Sequence, residues 1–357
     1  MNNLSSKLSL SIVSSLVKKA HVEFLYTSIK QHERIITVVH SIKCTHHNNN
    51  KEKPNLLMIH GSNSSMSTYL KIVDDLIDTY DVYLINLPGF GVSDLSDISI
   101  SLLTTDETID MYSYIIKEYI SALRLDNLSV VGHSFGGYLS VNTAYRYPEL
   151  IDKLVLINPA GIFNFGSHWG LLVSICFYIG FPHNVLQFIP CIIMKHVIEF
   201  VARFNLEYAY DLMLYSTRLN FSSQIINKFI KISRSGSYVA NPLLRIFTKM
   251  NIPVGLIYSK NDVIMPVEHG ECLSKAFDLP LRVIDNSGHS LQYDTDLCKL
   301  SSSLIDILKE CSIPRGIVSC SVFESMLTLK TGMNVSKNKR LMCSFYDMLI
   351  SDVKKHT

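Results

Sequence analysis

Short apolar runs alternate with amphipathic segments along the chain up to about residue 161. Alternating apolar and polar positions predict two strands, at 22–26 and 35–42. Short, mainly apolar runs predict four buried strands, at 55–59, 82–86, 128–131 and 154–158. Helical spacing predicts helices at 69–80, 111–123 and 138–147. This order is typical of βαβ units, so the pattern predicts an α/β fold with a mainly parallel central sheet and helices on both faces.

The alternation breaks after residue 161. Between 163 and 196 the only charged residue is Lys195, and Pro182 and Pro190 divide the apolar stretch into pieces too short to span a bilayer. Helical patterning continues to about residue 248. Strands at 254–258 and 281–284 and helices at 268–276 and 297–309 then resume the earlier pattern. We therefore interpret 162–248 as a helical cap inserted into the α/β domain.

This division gives five segments: an N-terminal helical extension (1–29), the first part of the core (30–161), the cap (162–248), the second part of the core (249–310) and a C-terminal extension (311–357). The first 22 residues contain no acidic residue, and their apolar spacing fits either an organellar presequence or a surface helix. The C-terminal extension carries more basic than acidic residues. It fits either a membrane-surface or partner-binding tail or a helix docked on the domain.

Charge and cysteine content narrow the class of protein. The 357-residue chain has 33 Lys+Arg against 31 Asp+Glu, so we expect no nucleic-acid partner and a neutral or amphiphilic substrate. The eight cysteines include no Cys-x-x-Cys pair, which favours reduced, buried thiols and a cytoplasmic location. Residues 44–54 form a polar loop in this interpretation. We expect Cys44, His46 and His47 to be loop residues, and we expect no metal, no cofactor and no transmembrane helix.

A serine lies between two glycines where a predicted strand meets a predicted helix. The segment Gly132-His133-Ser134-Phe135-Gly136 follows the apolar run 128–131. This spacing is the signature of a nucleophile elbow, a tight turn that strains the serine backbone and leaves no room for bulky side chains at the two glycine positions. We expect Ser134 to be a nucleophile exposed above the edge of the sheet.

A serine nucleophile needs a base that accepts its proton and a carboxylate that orients the base. Asp262 follows the predicted strand 254–258, and His289 follows the predicted strand 281–284. The carboxyl ends of parallel strands lie at one edge of a sheet, where such folds bind their ligands. We therefore predict that Ser134, Asp262 and His289 form a catalytic triad.

Acyl transfer also needs hydrogen-bond donors for the developing oxyanion. Phe135 offers a backbone N–H at a helix N-terminus, and Ser62 offers a second N–H in the loop after strand 55–59. Gly61 permits the close approach of that loop. We interpret His60 as a structural loop residue, and His133 as a residue that packs against or shapes the pocket.

These motifs resemble the α/β-hydrolase fold over about residues 30–310. They are His60-Gly61, Pro88-Gly89-Phe90-Gly91-Val92-Ser93-Asp94, Gly132–Gly137, Asn261-Asp262 and Gly288-His289. Since the nucleophile is serine and not aspartate, the dehalogenase and epoxide-hydrolase branches are disfavoured.

Several segments are similar to one branch, which contains N-acylphosphatidylethanolamine lipase, lysophospholipid acyltransferases and a lipase co-activator. They are Gly132–Tyr138, Tyr147-Pro148-Glu149 and Asn158–Phe163. The resemblance implies glycerolipid or acyl-CoA substrates. It also makes His289 and Asp294, in a His-x4-Asp spacing, the counterpart of a proposed acyltransferase motif.

The sequence is compatible with three functions. The first is a serine hydrolase that cleaves an ester or amide with an apolar acyl group, such as a lipase or lysophospholipase. The second is an acyltransferase that uses the same triad to acylate a lysophospholipid. The third is a lipid-binding or co-activator scaffold without activity. Membrane contact through the cap or the C-terminal extension is compatible with all three.

Overall fold

An eight-stranded sheet runs through the computed structural model, in the order β1-β2-β4-β3-β5-β6-β7-β8. The structure describes residues 13, 17–47, 52–62, 64–90, 93, 103–161, 246–262, 265–289 and 297–316. The strands are β1 (Ala20–Gln31), β2 (Arg34–His46), β3 (Asn55–Ile59), β4 (Asp81–Ile85), β5 (Leu128–His133), β6 (Lys153–Ile157), β7 (Val254–Ser259) and β8 (Leu281–Ile284).

The pairing of the strands places their ends. β1 pairs antiparallel with β2, and β2 pairs antiparallel with β4. The remaining pairs, from β4 through β3, β5, β6 and β7 to β8, are parallel. The carboxyl ends of these six strands therefore lie at one edge of the sheet, which confirms the predicted mainly parallel sheet.

Helices cover both faces of the sheet. The described helices are α1 (Val73–Leu76), α2 (Thr105–Leu123), α3 (Phe135–Arg146), α4 (Val267–Phe277) and α5 (Leu297–Glu310). One hydrophobic core packs α2, α3 and α4 on one face, and a second core packs α1 and α5 on the other. Burial on both faces explains why the central strands are continuous apolar runs.

Helix α2 begins one and a half turns before the predicted start at residue 111. Its first turn is polar and gives no apolar periodicity, but Thr104 caps it: the Thr104 side chain accepts from the Glu107 N–H, and the Glu107 carboxylate accepts from the Thr104 N–H. This reciprocal capping box satisfies two backbone donors and sets the start of the helix. The helix ends at Leu123, and the next residue, Arg124, adopts the left-handed conformation.

The predicted helix at 69–80 is replaced by a 3-10 helix (Met66–Ile72) followed by the single turn of α1. The Met66 N–H donates to the Asn86 side chain at 2.9 Å, and the Tyr69 hydroxyl donates to the Ile59 carbonyl at 3.0 Å. These contacts fix the segment to the ends of β3 and β4. Tertiary hydrogen bonds thus override the helical periodicity.

Two boundaries also differ from the sequence-based division. The sheet begins at Ala20, before the boundary placed at residue 30, because β1 pairs with β2 along its whole length. The predicted loop at 44–54 begins later, since β2 continues to His46. Cys44 is a buried strand residue, and the His46 Nε2 lies 3.5 Å from the Asp78 Oδ1. The part of the chain that the structure describes contains no group of residues able to hold a metal ion.

The four cysteines within the described ranges are free thiols. Cys44 and Cys272 are buried, as expected, but Cys298 is exposed on α5, so burial does not hold for every cysteine. Among the described helices none is long and apolar enough to cross a membrane.

His60 connects the loops that follow β3 and β4. The Leu87 N–H donates to His60 Nε2 at 3.0 Å, so the proton lies on Nδ1, which donates to the Gly61 carbonyl at 2.7 Å. The ring also packs edge-on against Phe90. Burial lowers the pKa of His60 from 6.5 to about 4, so the imidazole is neutral near neutral pH.

Gly136 lies in the first turn of α3, where the helix touches β3. A Cβ at this position would lie 2.4 Å from the carbonyl oxygens of both Ile59 and His60. We expect Gly136→Ala to destabilise the protein by about 3 kcal/mol, although alanine favours helices in general. Urea unfolding measures the change. Gly288→Ala is the matched control, because nothing lies within 4 Å of its added Cβ, and equal losses in both variants would contradict the close approach.

The depressed pKa of His60 predicts an acid-sensitive fold. As pH falls from about 6.5 to 4, the unfolded chain binds this proton before the folded chain does, so stability is full above that window and decreases within it. The contribution is up to about 3 kcal/mol. His60→Gln removes this titration, and its unfolding free energy should depend less steeply on pH between 6.5 and 4. Parallel pH profiles for the two proteins would contradict the prediction.

Candidate active site

Ser134 occupies the turn between β5 and α3, and its backbone angles are φ 52° and ψ −117°. A positive φ is strained for any residue with a side chain, and such strain persists only where the surroundings enforce it. The Ser134 N–H donates to the Ile157 carbonyl at 3.0 Å, and its carbonyl accepts from the Ala160 N–H at 2.9 Å. Main-chain contacts with the end of β6 and the residues after it therefore hold the serine in its conformation.

Gly132 lies on the other side of this turn from Gly136. A Cβ on Gly132 would lie 2.5 Å from the Ser140 Oγ and 2.6 Å from the Gly137 Cα. The start of α3 therefore packs directly on the end of β5, and a side chain at either glycine would push the helix away.

Ser134, His289 and Asp262 lie together at the carboxyl edge of the sheet. His289 Nε2 lies 3.0 Å from the Ser134 Oγ, and His289 Nδ1 lies 2.7 Å from the Asp262 Oδ2. The second oxygen of Asp262, Oδ1, accepts from the Met265 N–H at 2.8 Å. With the carboxylate on the Nδ1 side, that nitrogen holds the proton, and Nε2 faces the serine as an acceptor.

The carboxylate is more deeply buried than the imidazole. The Asp262 side chain is 0% exposed, whereas that of His289 is 17% exposed. Ser134 itself is only 4% exposed, which corrects the expectation that it stands exposed above the sheet. The loop after β3 and the ring of His289 both pack against it.

The loop after β3 reaches the nucleophile. A Cβ on Gly61 would lie 3.0 Å from the Ser134 Cβ, so only a glycine allows this approach without displacement. Ser62 is the next residue of this loop, and Phe135 is the first residue of α3. The dipole of α3 adds positive potential at this point.

A buried polar network connects the ends of β6, β7 and β8. The Asn158 amide donates to the Ser259 Oγ at 2.9 Å and accepts from the Ser259 N–H at 2.7 Å. The Ser259 Oγ lies 2.9 Å from the Ser287 Oγ, and the Asn261 N–H donates to the Ser287 carbonyl at 3.0 Å. The network ties the loop of Asp262 to the loop of His289.

Sequence reasoning assigned no role to Asn158, Ser259 or Ser287. The available signal was that each is a small polar residue at or just after the end of a predicted strand. Asn158 also has a positive φ of 41, which asparagine tolerates better than most residues. Asp294 and most of the predicted cap lie outside the described residues.

Comparisons with known proteins agree with this architecture. A family model for the alpha/beta hydrolase fold matches residues 54–177. The chain is similar to a probable 1-acylglycerol-3-phosphate O-acyltransferase of Oryza sativa subsp. japonica, 24% identical over 269 residues that cover 68% of this chain and 64% of that protein. It is also similar to the abhydrolase domain-containing protein abhd-5.2 of Caenorhabditis elegans, 32% identical over 31% of this chain and 24% of that protein.

Both matches thus span less than two thirds of the curated relatives. Among solved structures, a putative lipase from Acinetobacter baumannii AYE superposes with a TM-score of 0.62 and 16% identity, covering 86% of this chain and 95% of that one. The parallel sheet, the strained turn at Ser134 and these similarities together show that the chain has the α/β-hydrolase fold.

Proposed function

We propose that this protein is a serine hydrolase that cleaves a carboxylic ester, or an amide, with an apolar acyl group, through an acyl-enzyme on Ser134. The observation that carries the proposal is the continuous chain of hydrogen bonds from the Ser134 Oγ through His289 to Asp262. These three groups come from distant parts of the chain, and each has the orientation that a nucleophile, a base and an orienting acid require.

In the first half of the reaction the Ser134 Oγ attacks the carbonyl carbon of the substrate while its proton passes to His289 Nε2. Buried Asp262 stabilises the imidazolium that forms. The substrate oxygen becomes an oxyanion between the N–H groups of Ser62 and Phe135. When the tetrahedral intermediate collapses, the bond to the leaving group breaks, and His289 Nε2–H protonates the departing alcohol or amine.

In the second half the ester on Ser134 is hydrolysed. Water attacks the acyl carbon and gives its proton to His289 Nε2, and collapse returns the Ser134 hydroxyl and releases the carboxylic acid. No metal or cofactor takes part in this proposal. The imidazole acts as a base and then as an acid in each half, so its distance from the Ser134 Oγ must hold throughout.

An apolar acyl group, and a lipid in particular, is supported by two features. The sequence between 163 and 196 has a single charged residue, a composition that suits the binding of an apolar acyl group. The similar rice protein carries the name of an enzyme that acts on a glycerolipid. A lipid substrate would bring the protein to a membrane surface.

Acyl transfer to a lysophospholipid is the second candidate. It is favoured by the rice relative, whose name describes an O-acyltransferase. The chemistry differs from hydrolysis in one step, because a hydroxyl of the lysolipid replaces water as the acceptor of the acyl group. His289 and Asp294 would then correspond to the acyltransferase motif.

Substitution of the nucleophile tests the common mechanism. Ser134→Ala should abolish covalent labelling by a fluorophosphonate probe and lower turnover of a p-nitrophenyl ester at least about 10³-fold. Mass spectrometry of the labelled wild-type protein should place the adduct on Ser134. Ser302→Ala, which removes an exposed serine on α5, is the control and should label normally. Labelling that survives in Ser134→Ala would refute the proposal.

Product identity separates hydrolysis from transfer. Purified protein incubated with acyl-CoA and a lysophospholipid should release free fatty acid if water is the acceptor. It should form diacyl phospholipid if the lysolipid is the acceptor. Lipid mass spectrometry measures both products, and Ser134→Ala gives the background. Diacyl phospholipid as the main product would replace hydrolysis by the second candidate.

A further inference from the structure

His133, the residue before Ser134, lies between the loop that contains Gly61 and the loop that contains His289. Its side chain lies 2.9 Å, through Nε2, from the backbone carbonyl oxygen of His289. The two rings are 5.0 Å apart between centroids and are tilted by 43°. On the opposite side, a Cβ on Gly61 would lie 3.0 Å from His133 Nδ1. The His133 ring therefore fills the space between the loop after β3 and the loop that contains His289.

The contact with His289 fixes the proton on the His133 ring. A backbone carbonyl accepts hydrogen bonds and cannot donate them, so the facing Nε2 carries the hydrogen. Nδ1 is then unprotonated, and it is buried with no hydrogen-bond partner within the described ranges. Burial, followed by the influence of His289, keeps the pKa of His133 well below its ordinary value, so the ring is neutral.

We propose that His133 is a positioning residue for His289: its Nε2–H, bound to the His289 carbonyl, fixes the base at hydrogen-bond distance from the adjacent Ser134. The inference rests on the proposed function, because it matters only if His289 acts on Ser134. His133 is bonded covalently to Ser134 at one end and hydrogen-bonded to the main chain of His289 at the other.

Asp262 and His133 constrain His289 in different ways. Asp262 binds the imidazole at Nδ1 and limits its rotation, whereas His133 binds the main chain and limits the movement of the whole residue. A catalytic group displaced by about 1 Å loses roughly 10²-fold in rate. A neutral His133 ring also avoids repulsion of the imidazolium that His289 becomes during each proton transfer.

Two substitutions of His133 by amide side chains of different length test whether its Nε2–H donor positions His289. In His133→Gln the side-chain N–H₂ extends to the place of Nε2, whereas in His133→Asn it is one methylene shorter and stops near the place of Nδ1. Both replacements are neutral, polar and smaller than or similar to the imidazole. We expect the Gln variant to keep its fluorophosphonate labelling rate and kcat within about fivefold of wild type. We expect the Asn variant to lose about 10-fold to 100-fold in both, with KM changed less than about twofold.

The outcomes separate this inference from the proposed function. Equal labelling rates and kcat values for the Gln and Asn variants, whether both high or both low, would overturn the positioning role. A loss that appears in KM alone would also overturn it, because substrate binding would then be the affected step. If instead wild-type protein fails to label at Ser134, the proposed function itself fails. Thermal unfolding of each variant verifies that the compared proteins are folded.

Discussion

The positive φ of Ser134 is the constraint on which the rest of the site depends. It directs the hydroxyl out of the sheet and toward His289, and it is enforced by main-chain hydrogen bonds to Ile157 and Ala160. The glycines on either side allow α3 to pack directly against β5 and β3. Local strain is thus balanced by packing of the parallel sheet against one helix.

The side chains whose hydrogen bonds fix the loops around the site lie mostly outside the predicted triad. Asn158, Ser259 and Ser287 join three strand ends, and His60 joins the loops after β3 and β4. All of them are buried and hydrogen-bonded, so they contribute rigidity at low dielectric without bearing charge. Hydrogen bonds therefore stiffen this edge of the sheet in two places, at the ends of β6, β7 and β8 and at the loops after β3 and β4.

Much of the sheet was predictable because buried strands have short, mainly apolar sequences that are easy to recognise. The runs at 55–59 and 281–284 match β3 and β8 residue for residue, and the strand-helix order gave the parallel topology. Helix starts were less accurate. Polar first turns, such as that of α2, carry no apolar periodicity, and the segment around Tyr69 follows tertiary hydrogen bonds and not its own spacing.

The sequence by itself determined the fold class, and it predicted that Ser134, Asp262 and His289 meet at one edge of the sheet, from a Gly-x-Ser-x-Gly turn and two polar residues after late strands. Only the tertiary structure decided that Ser134 is buried, that His133 faces the carbonyl of His289, and that Asn158 links the ends of β6 and β7. The physical reason is that hydrogen bonds between residues more than 100 positions apart depend on how strands are ordered in the sheet. Periodicity along the chain records only whether a residue is buried, not what it meets there.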